Sequence, residues 1–164
     1  MALYASLGFE VKESLVLMRG KPQSQPPGGI EIRPLGREDL KACAALCQRS
    51  HGIERTNELQ DALDAPRVCS PFVALRDGRV TGYTYAVFRN LAQEVAETEA
   101  DMQALISGVS ATSAEPLAFR LPIRQASFFR WCWSEGLRIV KPMTPMTVGA
   151  YLEPRGVYFP SGLY

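Results

Sequence analysis

The chain is poor in the residues that most catalytic and metal sites need. It has a single histidine, His51, in 164 residues. Its four cysteines include no C-x-x-C pair, so a zinc site is not expected. No G-x-S-x-G segment marks a serine nucleophile. No apolar run is long enough to span a bilayer, so no membrane association is expected. The N-terminus lacks a basic leader, and Gly8, Glu10, Lys12 and Glu13 break its apolar stretch. A signal peptide is therefore not expected, and the expected location is the cytoplasm. Excess charge is missing too: 18 Lys and Arg oppose 17 Asp and Glu. That balance gives no case for a nucleic-acid partner.

What remains is a globular composition, 46% hydrophobic and 21% charged. The length allows one domain with a substantial core. Cys43 and Cys47 stand four apart on one face of an expected helix, with Cys69 and Cys132 elsewhere. They read as buried, reduced core residues.

The first twenty residues read as the end of a unit. Ala2-Leu3-Tyr4-Ala5-Ser6-Leu7 is a helix end, and Gly8 suits the left-handed position after it. Phe9-Glu10-Val11-Lys12 alternates like a strand, and Val11 to Met18 is expected to be strand throughout. A helix starting at residue 2 has little length in which to nucleate. Residues 21–29 hold three prolines and two glycines and form a linker.

A second unit, residues 30–164, follows. Ile30 to Leu35 alternates as a strand. Glu38-Asp39 opens a helix whose Leu40, Cys43, Ala44 and Cys47 make one apolar stripe. Glu58 to Leu63 is a short helix. Phe72 to Leu75 and Val80 to Phe88 are strands joined by the Asp77-Gly78 turn. On the second strand Tyr83 and Tyr85 share one face, and Val80, Thr84, Ala86 and Phe88 the other. Gln93 to Gly108 reads as a helix with Met102, Leu105, Ile106 and Val109 at core spacing. Leu117 to Leu121 is a strand. Gln125 to Glu135 is a helix ringed by Phe128, Phe129, Trp131, Cys132 and Trp133, so burial on most sides is expected. Leu137 to Val140 begins a last strand, and the Pro- and Gly-rich tail from Pro142 is expected to wrap the surface. There is an internal echo: Leu3 to Val11 and Trp131 to Ile139 share the order helix end, glycine, apolar strand.

The segment A-L-Y-x-x-L-G-F-E-V resembles the closing helix and strand of a GNAT acetyltransferase domain. Most of residues 30–140 is similar to a GNAT domain, and the order strand, helix, short helix, strand, D-G hairpin and strand fits the first half of that fold. The whole chain resembles the C-terminal part of tandem-domain GNAT proteins. The resemblance implies an α+β fold with a mixed sheet, a degenerate GNAT-like domain preceded by the tail of another. It implies acetyl-CoA as cofactor and an amine as acceptor in the complete protein. It also implies a role for Tyr4, since a tyrosine on this helix protonates the departing CoA thiolate in many GNAT enzymes.

One expected feature is absent. A GNAT domain cradles the cofactor pyrophosphate in an R/Q-x-x-G-x-G/A loop at a helix N-terminus, because backbone N–H groups must approach the phosphates. After the Val80–Phe88 strand this chain runs into an acidic helix, expected to carry Glu94, Glu97, Glu99 and Asp101 in its first turns. Such acids would repel a pyrophosphate.

Other candidates follow from charge and position. Tyr83, Tyr85 and Arg89, with Arg120 and Arg124, stand at strand ends that could line one cleft for a polar ligand. Residues 90–119 hold five acids and no Lys or Arg, whereas residues 120–164 hold six Lys or Arg and two acids. Surface ion pairs are the plainer explanation of that split. His51 with Glu54 or Glu58 could act as a base, or His51 could be a cap or surface residue. The aromatics of residues 128–133 could hold an acyl chain, or pack a core. The alternative to an acetyltransferase relative is a non-catalytic ligand-binding or assembly module. The exposed strand over residues 9–18 could be covered by its own sheet or by exchange in a homodimer. An unrelated small-molecule-binding α+β domain is a third reading.

Overall fold

The computed structural model describes residues 2–65, 71–85 and 93–160. Cys69, Arg89 and the expected strand end at Ala86 to Phe88 lie outside the described residues. The elements run α1 (Ala2–Ser6), β1 (Glu10–Val11), β2 (Leu15–Gly20) and β3 (Glu31–Pro34). A short 3₁₀ turn at Arg37–Asp39 leads into α2 (Leu40–His51), followed by α3 (Thr56–Asp64). Next come β4 (Phe72–Arg76), β5 (Arg79–Thr84), β6 (Glu94–Ala96) and α4 (Glu99–Ala111). The chain closes with β7 (Leu117–Pro122), α5 (Ala126–Ser134), β8 (Arg138–Met143), β9 (Met146–Thr147) and β10 (Val157–Phe159).

The strands form a five-stranded sheet in the order β10-β6-β5-β4-β3, a three-stranded sheet in the order β7-β2-β8, and a β1-β9 ribbon. Alternation along the strands puts apolar groups on both faces. Phe72 and Ala74 pack with Met102, Leu105, Ile106 and Val109 of α4 and with Phe128 and Cys132 of α5. Val73 and Leu75 face the opposite way and pack with Cys43, Leu46 and Cys47 of α2 and Leu59 of α3. The same α4 core takes in Val16 and Met18 of β2 and Phe119 and Leu121 of β7, which binds the two larger sheets together.

The α2 stripe is buried at Cys43, Ala44 and Cys47, and the Asp77-Gly78 turn has both residues at positive φ, 53° and 73°. That is the twist a two-residue hairpin needs. A register shift between Ala74 and Leu75 then carries Val80 into the same cluster as Tyr83, against the expected alternation.

Four expectations need correction. The strand expected over Val11–Met18 is broken at Lys12–Ser14. There the Lys12 amide bonds to Pro145, while the Ser14 carbonyl accepts from Ile123. Gln93 does not open a helix. Glu94–Ala96 is a strand paired with β5, and α4 starts only after Thr98, whose side chain caps the Asp101 amide. In α5 only Phe128 and Cys132 are buried, because one face of a nine-residue helix meets the core; Trp133 is 48% exposed and lies against Arg138. The tail does not simply wrap the surface. Val157, Tyr158 and Phe159 are buried in the sheet, anchored by aromatic packing.

Candidate functional site

The two larger sheets part between β6 and β7, and β10 lies in that split. It runs antiparallel to β6, with Val157 opposite Ala96, Tyr158 opposite Val95 and Phe159 opposite Glu94. Phe159 stacks on Phe119 of β7 with ring centroids 4.2 Å apart and also meets Phe128 of α5. The sequence Val157-Tyr158-Phe159, between Gly156 and Pro160, is β-branched and aromatic. That is a strand signal, and a reading of the tail by its prolines passes over it.

Polar contacts fix the strand at both ends. The Tyr158 hydroxyl donates to Glu13 Oε1 at 2.7 Å and accepts from Arg124 Nη2 at 2.7 Å. Arg124 Nε donates to Glu13 Oε2 at 3.0 Å. Gln125 Nε2 donates to the Tyr158 carbonyl at 2.8 Å. Upstream, the Arg155 amide donates to the Ser50 carbonyl at 2.8 Å, and Ser50 Oγ returns a bond to the Arg155 carbonyl. Gly156 has φ of +77°, and a Cβ there would lie 3.0 Å from the Ala96 carbonyl oxygen. Glycine is what lets the chain pass that close to β6. Glu13, Ser50 and Tyr158 are thus members of the site that the sequence reading did not single out.

The N-terminus of α4 follows β6 directly. It is where a phosphate would sit if this sheet held a cofactor pyrophosphate. Its first residues are Glu99, Ala100 and Asp101, with no glycine. Thr98 accepts from the Asp101 amide, and the Asp101 carboxylate takes bonds from Thr98, Thr81 and Arg76. Glu97 is paired with Arg79 and Arg49, which hold its carboxyl below the usual glutamate range. Acids supplied by the chain itself already occupy this positive end. The acidic character read from the sequence therefore holds, with Glu94 reassigned to the strand and Glu97 to the bend before α4.

Tyr4 stands apart from these groups. It is 53% exposed on α1, a helix without buried residues, and its ring meets only Phe9 edge-on among the described aromatic contacts. The internal echo is real at the level of hydrogen bonds. Phe9 N donates to Tyr4 O and Gly8 N to Ala5 O; Leu137 N donates to Cys132 O and Gly136 N to Trp133 O. Gly8 and Gly136 have φ of 84° and 89°. Both helices end in the same two-bond motif. The position of Tyr4 in the first segment is held by Cys132 in the second. Cys132 is fully buried, and burial pushes its thiol well above the ordinary range.

The remaining candidates are distributed over the fold. Tyr83 is buried in the α2–α3 core beside Cys47, and burial raises its hydroxyl well above the usual tyrosine value. Tyr85 packs partly buried against the same cluster. Arg124 belongs to the Glu13–Tyr158 network. Arg120 lies on β7 opposite Leu17, with Nε and Nη1 buried and without partners among the described residues. It acts electrostatically on Glu94, which is 1% exposed with both carboxylate oxygens unpartnered among the described residues. Burial pushes Glu94 up to about 8 against the opposing pull of Arg120. His51 is neither a cap nor a surface group. It is 7% exposed and packs edge-on against Tyr158, and burial, then Arg55, lowers it to about 4. Of its two expected carboxylate partners, Glu54 and Glu58, the second is bonded to Arg55 instead. Among the described residues no group of His, Cys, Asp or Glu could hold a metal ion, and no helix is long and apolar enough to cross a membrane.

A cleft of about 510 Å³ opens beside His51. It lies between the end of α2, Gln93 ahead of β6, and the β9 strand with the loop after it. Phe9, Ile53, Met146, Val148 and Leu152 supply apolar walls, and His51, Arg55, Gln93, Thr147 and Tyr151 supply polar groups.

No protein-family model matches the sequence, and neither does any curated protein. Solved structures do match. A candidate acetyltransferase from Pyrococcus horikoshii superposes with a TM-score of 0.69 at 13% identity, covering 96% of this chain and 53% of that one. A candidate GNAT-family acetyltransferase from Novosphingobium aromaticivorans gives 0.54 at 20% identity, over 87% of this chain and 69% of that one. A GCN5-related N-acetyltransferase from Anabaena variabilis gives 0.58 at 13% identity, over 88% and 42%. The chain thus spans about half the length of the Pyrococcus protein, 53%, and less of the Anabaena protein, 42%. At these identities the likeness speaks for the fold, and the chain has the mixed α/β fold of the GNAT acetyltransferases.

Proposed function

We propose that this chain is a degenerate GNAT-like unit of an acetyltransferase-related protein and does not itself carry acetyl transfer. The observation that carries the reading is β10. It takes the backbone edge of β6 and fills the split between β6 and β7 with Tyr158 and Phe159. An acyl-CoA chain in that split would need the same edge and the same volume. The residues present do not fit acetyl-CoA: the split is filled from within, the α4 N-terminus is acidic and glycine-free, and Cys132 replaces the tyrosine of the first segment. Transfer of acetyl to an amine would then belong to another part of the complete protein, with Tyr4 at the end of that part. Calorimetric titration of this chain with acetyl-CoA tests the reading. No binding heat up to millimolar cofactor is expected, and micromolar affinity would contradict it.

A second reading, an assembly role, is favoured by exposed apolar groups. Leu3, Tyr4 and Leu7 in and after α1, and Ile139 and Val140 on β8, are all exposed. Within this chain β2 already pairs with β7 and β8. Exchange of residues 1–20 between two copies would keep those pairings and produce a symmetric dimer. A light-scattering mass of two protomers, lost on deleting residues 1–20, is the expected result for exchange. A single-protomer mass in the intact chain removes the reading.

A further inference from the structure

The cleft beside His51 is built from different residues than the β6–β7 split, so it stands apart from the cofactor question. We propose that it binds an uncharged, mostly apolar ligand bearing one hydrogen-bonding group. Its volume of about 510 Å³ suits a small molecule. Ile53, Val148 and Leu152 expose 52%, 59% and 64% of their surface at its wall. Apolar side chains left in water around one concavity are what such a ligand would cover.

The polar groups set the charge of the ligand. His51 Nε2 is buried and has no hydrogen-bond partner among the described residues, and the same holds for Thr147 Oγ1. An imidazole that is more than nine-tenths buried and unpartnered is costly unless something bonds to it. Burial and Arg55 keep that ring neutral at neutral pH. Among the described residues the lining holds one formal charge, Arg55, and it is already matched. Arg55 Nε and Nη2 lie 2.8 and 2.5 Å from Glu58 Oε1, and Nη1 donates to Gln93 Oε1 at 2.8 Å. The Tyr151 hydroxyl donates to Glu13 at 3.3 Å. A cationic or anionic ligand would lose its hydration here and meet, among the described residues, no opposite charge in need of one. A neutral hydroxyl or amide meets His51 and Thr147, and its apolar body covers the wall.

His51 is the only histidine, so its ring signals report on this cleft alone. The test titrates the chain with 2-naphthol, 2-naphthoate and 2-naphthylmethylammonium, which share a ring system and differ in charge. The His51 imidazole resonances are followed by NMR at neutral pH. The expected result is a saturable His51 shift with 2-naphthol at submillimolar concentration, with both charged probes at least about tenfold weaker. Leu152→Asp and Val148→Asp alter exposed side chains, so an unchanged amide spectrum is expected, with 2-naphthol binding lost. The proposal is overturned if 2-naphthol leaves His51 unmoved up to its solubility. It is equally overturned if a charged probe binds as well as the neutral one, or if both aspartate variants bind 2-naphthol normally.

Discussion

Glu94 sits in an environment far from what its chemistry prefers. It sits between β5 and β10 with both oxygens unpartnered among the described residues, and its pKa is raised from 4.5 to about 8. The folded state therefore holds this proton where the unfolded chain has released it. Between 4.5 and about 8 the folded state binds more protons, so Glu94 makes stability fall as pH rises through that window. His51 works in the opposite sense on the acid side. Its pKa falls from 6.5 to about 4, so the stability it contributes is lost as pH drops through that range. Between 6.5 and about 8 only Glu94 of the two is acting. Replacing Glu94 with glutamine should raise the chemical-denaturation midpoint at pH 8 and flatten its decline from pH 6.5; an unchanged slope would show that Glu94 is ionised in the fold. Neither residue was legible as buried. The stripe of Cys43, Ala44 and Cys47 was, because helical spacing within one element decides it. His51 and Glu94 are buried by Tyr158 and Phe159, more than sixty residues away in sequence.

At the scale of the element, β10 is short and carries much of the packing in the split. Phe159 is fully buried against Phe119 and Phe128. Phe159→Ala should cost about 3–5 kcal/mol of unfolding free energy, the range for truncating a core phenylalanine. A loss below about 1 kcal/mol would place the tail outside the core. The sequence made the hairpin at Asp77-Gly78 and the glycine stops at Gly8 and Gly136 readable, since each is set by local backbone sterics. It did not reveal β6. Glu94-Val95-Ala96 is too short to show a period of its own, and the acids around it suit a helix start equally well. The actual start is fixed by Thr98, whose hydroxyl caps α4. Tyr158 acquires its meaning only when Glu13 and Arg124 arrive from distant parts of the chain.

For the whole molecule, the A-L-Y-x-x-L-G-F-E-V segment, together with the order of strands and helices after residue 30, implied the GNAT-like fold. The superpositions bear this out over most of the chain. The place of β2 was not readable, because strand partners are set by tertiary packing. It enters between β7 and β8, so residues 15–20 complete a sheet whose other strands come from the far end of the sequence. The central claim is that the chain fills its own sheet split and leaves no place there for an acyl-CoA. Amide hydrogen exchange over residues 154–160, with and without millimolar acetyl-CoA, tests it directly. The account predicts slow exchange in β10, comparable to that of β6, and no change when acetyl-CoA is added. Rapid exchange across Val157–Phe159, or exchange there that acetyl-CoA alters, would contradict it.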